Sequence, residues 1–237
     1  MFGLLWLQSE QRPGQVLGSE QATVEPKATR KQQQRSVVTQ QKLLDAATQA
    51  FSENGFKGTS TRDIADRAGV HHPLITYHFK NKSRLWQAAT DRIFREFNIS
   101  LLKAMDEASK LDPKARAETF IRTYVRFAFS QPSLHKIILQ ESSHPSDRLD
   151  WLVETHLKPM YTLVVDQLTK LQALGVSPPG NPALLYNMIR VSAGSLLALG
   201  LEVKGSSGIN FEEEAQRNEL AEMIIRTFLP GDLPPRP

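Results

Sequence analysis

Between Thr59 and Lys82 the alternation of apolar and polar positions predicts two short helices joined by a tight turn. In the first, Ile64, Ala65 and Ala68 form an i, i+1, i+4 apolar face, and Arg62, Asp66 and Arg67 take the other faces. Ser60 stands as its N-cap, and Asp63 is placed to reach back in a capping box. Gly69 ends it at no side-chain cost, and Val70 can fold back onto the apolar face. The second helix runs over about 72–79, with Pro73 in its first turn and Ile75 and Phe79, four apart, as the buried edge. That register turns His72, Pro73, Leu74, Thr76, Tyr77 and His78 outward. Rings, a hydroxyl and imidazoles with almost no charge make a poor solvated face but a workable one for base edges, thymine methyls and phosphates. Asn81 is predicted to cap a third helix, with Lys82 at its positive N-terminus. Two helices in this arrangement suit insertion of the second into a DNA groove.

The rest of the chain reads as helices separated by Pro, Gly and Asn. A supporting helix is expected over 36–53, with Leu43, Ala47, Ala50 and Phe51 on one stripe and Asn54-Gly55 closing it. A long helix over 82–108 carries Leu85, Ala89, Ile93, Phe97 and Leu101. Asp112-Pro113 opens the next, Gln131-Pro132 ends it, and a short helix follows over 134–140. A long helix over 145–175 holds Pro159, a candidate kink. After the loop 177–180, helices are expected over 181–203 and 211–229, the latter opened by Asn210 with Glu213, with 205–208 as a flexible link. The predicted fold is all-α with about nine helices: a disordered tail over 1–35, a three-helix head over 36–82, a helical body over 83–230 and a tail over 231–237.

The chain has 237 residues, enough for a sizeable core without staples, and no cysteine, which excludes disulfides, thiolate metal sites and cysteine nucleophiles and fits a reducing, cytoplasmic setting. Charge is uneven. Residues 30–92 hold 11 Lys and Arg against 5 Asp and Glu, the remainder 18 against 20. The basic part is the head, the expected footprint of a phosphate-binding surface on a neutral body. No apolar run approaches the ~20 residues of a membrane span, and the apolar FGLLWL start lacks the flanks of a signal peptide.

Enzyme chemistry finds little support. Glu141 and His144 have the Glu-x-x-His spacing of a di-iron ligand pair, but no second pair occurs and Pro145 follows at once, as at a helix end. No Gly-rich phosphate loop and no G-x-S-x-G elbow is present. No metal, cofactor or catalytic residue is expected. A helical bundle that only binds other proteins is the remaining alternative, and it leaves the concentration of positive charge unexplained.

The runs FSENGFKGTSTRDIADRAGV (51–70) and LITYHFKNK (74–82) resemble the N-terminal DNA-binding domain of the TetR family of bacterial transcriptional regulators. The resemblance covers about 36–92. It implies phosphate contacts from Ser60 and Thr61, base contacts from Arg62, His72, Pro73, Leu74 and Thr76, and backbone clamps from Tyr77, His78 and Lys82. His71 stands where the family usually caps the recognition helix with Ser or Thr, and Arg84 replaces a common acidic residue. The resemblance further implies a homodimeric repressor on a palindromic operator, released by a small, largely apolar effector. Phe120, Tyr124, Phe127, Trp151, His156, Met160, Tyr161 and Met188 are the candidate pocket residues, each of which could equally be core. The last two helices carry more apolar surface than one core needs. The expected dimer face comprises Met188, Ser192, Ser195, Leu196, Leu199, Leu220, Met223, Ile224 and Phe228.

Overall fold

A computed structural model describes residues 27–231, of which 82% are helical and none lies in a strand. The head is α1 (Lys27–Gly58), α2 (Thr61–Ala68) and α3 (Pro73–Phe79), followed by the long α4 (Lys82–Glu107). The body adds α5 (Pro113–Ser130), α6 (Pro132–Glu141), a long α7, α8 (Pro182–Ala198), α9 (Gly200–Ser207) and α10 (Glu214–Phe228). Helix α7 runs from Asp147 to Ala173 and contains a π-helical turn at Val153–Leu157; α8 contains another at Val191–Ser195.

Local sequence explains most boundaries. Asp112 Oδ1 accepts from the Ala115 N–H at 3.0 Å, Ser146 Oγ from Leu149 at 3.1 Å and Asn181 Oδ1 from Ala183 at 2.9 Å, so three helices start on side-chain caps. Proline fills the first turn of α5, α6 and α8, where no N–H is needed. Pro159 stands just after the π turn at Val153–Leu157. The Lys158 N–H bonds to the Val153 carbonyl, an i→i+5 step that makes room for a ring with no donor of its own.

Four boundaries depart from expectation. Helix α1 begins at Lys27, inside the stretch 1–35 expected to be disordered; only 1–26 of that stretch lies outside the described residues. Residues 32–35 of this helix are exposed, and there it rests on the helix propensity of Gln and Arg rather than on packing. At its other end the helical register breaks at Gly55 (φ 68°, ψ 175°). The segment 205–207 is helical rather than a loose link, because the Ser206 and Ser207 hydroxyls donate back to the Val203 carbonyl; Gly208 then ends it at φ 77°. The helix expected over 181–203 is two, α8 and α9, set at 82° about Leu199, which yields ten helices instead of nine. Helix α10 starts at Glu214, not 211, because Phe211 is drawn into the core.

Helix α4 belongs to both halves. Leu85, Trp86 and Ala89 at one end and Ile93, Phe94, Phe97 and Leu101 along the rest are all buried in one continuous core. Trp86 meets Trp151 edge to face at 5.5 Å, and the buried His156 ring stacks on Phe94 at 4.2 Å while its Nε2 hydrogen-bonds Asp91 Oδ1 at 2.7 Å. Helix α6 braces α1, with Gln140 Nε2 donating to the Ser52 carbonyl at 3.0 Å. Helix α10 closes the body through buried Ala221, Ile224, Ile225 and Phe228 and through Arg122, whose Nε donates to Glu222 Oε1 at 2.8 Å. No single described helix is long and apolar enough to cross a membrane.

The centre of the body holds a buried polar pair, His135 Nε2 and the Tyr124 hydroxyl at 2.8 Å, with Gly194 of the α8 π turn pressed against it. A Cβ at 194 would overlap the His135 ring and come within 2.8 Å of the Tyr124 oxygen. Gly194→Ala should therefore lower stability by about 2–3 kcal/mol in chemical denaturation, and an unchanged midpoint would refute this packing. Burial, aided by the Arg190 charge, pulls the His135 pKa down to about 4. The unfolded state, with its ordinary histidine, binds the proton first, so stability is full above pH ~6.5 and falls as pH drops toward 4, by about 3 kcal/mol in all. That acid-side loss should shrink in His135→Gln.

Candidate nucleic-acid interface and body cavity

The Ser60 side chain accepts from the Asp63 N–H at 3.0 Å, which starts α2 where the sequence places it. Asp63 does not complete the box; its carboxylate receives Arg67 Nε at 3.1 and 3.2 Å, and Arg67 also pairs with Glu53 of α1 at 2.6 Å. The Arg67 hydrogen bond holds the Glu53 carboxyl below its usual range. Gly69 adopts the left-handed conformation (φ 63°, ψ 37°), and the Gly69 and Val70 N–H groups return to the Asp66 and Ala65 carbonyls, both at 3.1 Å. The turn is thus fixed from both sides.

Helix α3 is anchored by two side chains, Ile75 and Phe79, which are 1% and 6% exposed. Pro73, Thr76 and Tyr77 are exposed, Tyr77 to 77%, while Leu74 and His78 are half-buried. The cap position is His72 rather than His71, and neither ring caps the helix. Instead His72 Nε2 lies 2.9 Å from the Thr61 hydroxyl, which ties the first residue of α2 to the start of α3. Arg62 is exposed and forms no ion pair among the described residues. Among the α2 and α3 residues singled out in sequence, the structure brings Thr61 and His72 into direct contact.

Asn81 caps α4, its Oδ1 accepting from the Arg84 N–H at 2.9 Å. Lys82 Nζ sits 4.4 Å from the centre of the Phe56 ring, and Arg148 from α7 lies 4.0 Å from the same ring. Arg148 is held there by Glu141, which is buried and receives its Nε at 3.1 Å on both oxygens. Burial, then the neighbouring Arg148, lowers the Lys82 pKa. Two residues of this corner escaped sequence reading. Lys80 is an exposed cation in a left-handed turn (φ 67°), and Arg148 approaches from 66 positions away with no local signal.

The proposed pocket residues do not converge. Tyr124 and Phe127 pack on Phe97 in the core, with Phe120 beside Tyr124; Trp151 and His156 face α4; Met188 is exposed. Of them Tyr161 alone lines an open recess between α7 and α8, a space of about 250 Å³ bounded also by Val153, Leu157, Lys158, Tyr186, Asn187 and Arg190. Periodicity could not reveal it, because two of its walls, Val153 and Leu157, lie in a π turn. A second cleft of about 240 Å³ beside α1 is polar and already neutralised, since Arg92 pairs with Asp45 at 2.7 Å. Among the described residues no group of three or more His, Asp or Glu could hold a metal.

Of the proposed dimer face, Met188, Leu199 and Met223 are about half exposed, while Ser192, Leu196 and Leu220 are partly buried. Ser195, Ile224 and Phe228 are buried within the monomer and are core residues. Leu184, Val191 and Leu201 are exposed apolar neighbours that the sequence reading omitted, and Leu201 reaches 91%.

A capped helix, a glycine turn, a short two-point-anchored helix and a basic corner on an all-helical body define a helix-turn-helix protein. Residues 43–89 match the family model described as bacterial regulatory proteins, tetR family. The chain belongs, through this head, to the TetR family of bacterial transcriptional regulators. It is 27% identical over 130 residues to IcaR of Staphylococcus epidermidis, a negative transcriptional regulator of a biofilm operon, covering 54% of this chain and 66% of IcaR. It is 26% identical over 196 residues to the transcriptional regulator RutR of Escherichia coli, covering 81% of this chain and 89% of RutR. Against IcaR and YttP of Bacillus subtilis the chain spans about two thirds of the relative's length, 66% and 65%. Among solved structures, AibR in complex with isovaleryl coenzyme A and operator DNA has the same fold, with a TM-score of 0.66 at 14% identity over 81% of this chain and 99% of AibR. A HlyIIR mutant gives 0.65 at 19% identity over 84% and 98%.

Proposed function

We propose that the protein is a homodimeric transcriptional repressor whose two α3 helices read a palindromic operator and which a small effector releases. The observation that carries this reading is the outward edge of α3, exposed and uncharged although it lies in the most basic part of the chain. A solvated edge would carry charge; this one carries a hydroxyl, rings and a proline, suited to base edges and sugars. Thr61, Tyr77, His78 and Lys82 then serve as phosphate contacts, and Arg62, His72, Leu74 and Thr76 choose sequence. Lys82, already partly desolvated over Phe56, has less hydration to lose when it meets a phosphate. In this reading 36–82 is the DNA-binding unit and 83–230 the effector and dimerisation unit.

The second copy is supported by the exposed Leu184, Met188, Val191 and Met223, which lie on the two helices that close the body. Twofold pairing there would set two heads about one helical turn of DNA apart, ~34 Å. An effector that binds better to a body with differently spaced heads must weaken operator binding by linkage. AibR, bound to both an acyl-coenzyme A and its operator, gives precedent for such a pairing of sites on this fold.

Selection of bound fragments from random DNA tests the reading directly: an inverted repeat is expected, and recovery of no shared sequence would sink it. Lys82→Ala should weaken binding to all sequences and reduce the salt slope by about 1, whereas Thr76→Ala should change the recovered base preference. An unchanged slope for the first, or a uniform loss for the second, would reassign those residues. The double variant Met188→Glu, Met223→Glu should sediment as a folded monomer with operator affinity lost; a stable dimer would place the interface elsewhere.

A further inference from the structure

The cavity between α7 and α8 is built from residues with opposing characters. Val153 and Leu157 give it an apolar wall, and Tyr161 and Tyr186, edge to face at 5.4 Å, give it an aromatic one. At its side stands Arg190. This guanidinium is half-buried, and its hydrogen bond among the described residues runs from Nη2 to Asn187 Oδ1 at 3.4 Å, with no carboxylate paired to it. Lys158, the other cation of the cavity, is already neutralised by Glu154 at 2.9 Å. The Arg190 charge reaches Tyr124, His135 and Tyr186 in the body. A half-buried arginine with an open fork beside an apolar recess favours a planar anion that it can hold through two parallel hydrogen bonds.

A second observation is independent of charge. Both helices that wall the cavity depart from α-helical geometry, α7 at Val153–Leu157 within the lining and α8 at Val191–Ser195 just beyond it. π turns are rare and concentrate at functional sites. Here Val153 and Leu157 are the first and last residues of one π turn, and Arg190 immediately precedes the other. The first turn also contains His156, bonded to Asp91 of α4, so a molecule seated on Val153 and Leu157 touches the same turn that holds the helix leading to the head.

From this juxtaposition we infer that the cavity binds a small monocarboxylate with an apolar or aromatic body, its carboxylate on Arg190 and its body against Val153, Leu157 and the two tyrosines. At about 250 Å³ the space falls below the ~300–1,000 Å³ that drug-sized ligands occupy, so the ligand is smaller than those. The inference rests on the effector-responsive reading for its biological meaning but not for its test, which is a binding measurement without DNA.

Benzoate, phenylacetate and octanoate would be titrated by calorimetry into the full chain, beside benzamide, phenylacetamide and octanamide. At least one carboxylate is expected to bind and its amide to bind at least about tenfold more weakly. Arg190→Gln should abolish the preference and Arg190→Lys restore part of it, with circular dichroism showing both folded. Equal binding of acid and amide, no binding of any acid, or full retention in a folded Arg190→Gln would overturn the assignment. The same acid added to the chain on its selected operator separates the two readings. Binding at Arg190 without loss of operator affinity would keep the site and remove its role as effector, and operator release by other molecules with no acid bound would do the reverse.

Discussion

One helix has to be buried in two places at once. The stripe of α4 from Leu85 to Leu101 is covered at its start by α1 and α3 and further along by α5 and α7. An aromatic pair contributes about 0.5–1.5 kcal/mol beyond its area, so Trp86 on Trp151 and Phe94 on His156 add specific orientation to a contact that burial already favours. Because the interior is close-packed, α4 cannot tilt in the body without carrying α3 along. The angle of the outward edge of α3 is therefore a property of packing tens of residues away from it.

The head was legible in the sequence because its signals are local. Ser60, Gly69, Pro73 and Asn81 each act within four residues, through a cap, a left-handed turn, a fixed φ and a second cap. Those determinants leave little for tertiary contacts to overrule. The burial of Ile75 and Phe79 followed from their spacing alone. His72 is the exception. Its ring engages Thr61, eleven positions away, and no pattern within a helix could have announced that bond.

The body was legible in its punctuation and opaque in its interior. Asp112, Gln131, Asn181 and Pro230 mark helix ends as expected, yet most of the assigned pocket residues pack into the core, with Tyr161 on the recess and Met188 exposed, because an aromatic at helical spacing looks the same whether it fills a core or faces a void. Arg190 was passed over for the complementary reason: a lone arginine in a helix reads as solvated, and only the absence of a carboxylate nearby distinguishes it. Arg148 shows the same limit from the other side. Its place over Phe56 depends on Glu141, which seemed in sequence to be no more than part of a helix end.

The π turns have a consequence for how such a cavity arises and disappears. Each is equivalent to one extra residue lodged in an α-helix, so the loss of a single codon in 153–157 would restore regular geometry there, leave the helix beyond it close to its present register and withdraw the bulged wall that Val153 and Leu157 provide. A residue lost from a regular stretch of α7 would instead turn everything downstream by about 100° and carry its buried stripe out of the core. Descendants of this chain could therefore shed the recess in one step at this turn, while the rest of the helix is held to its residue count.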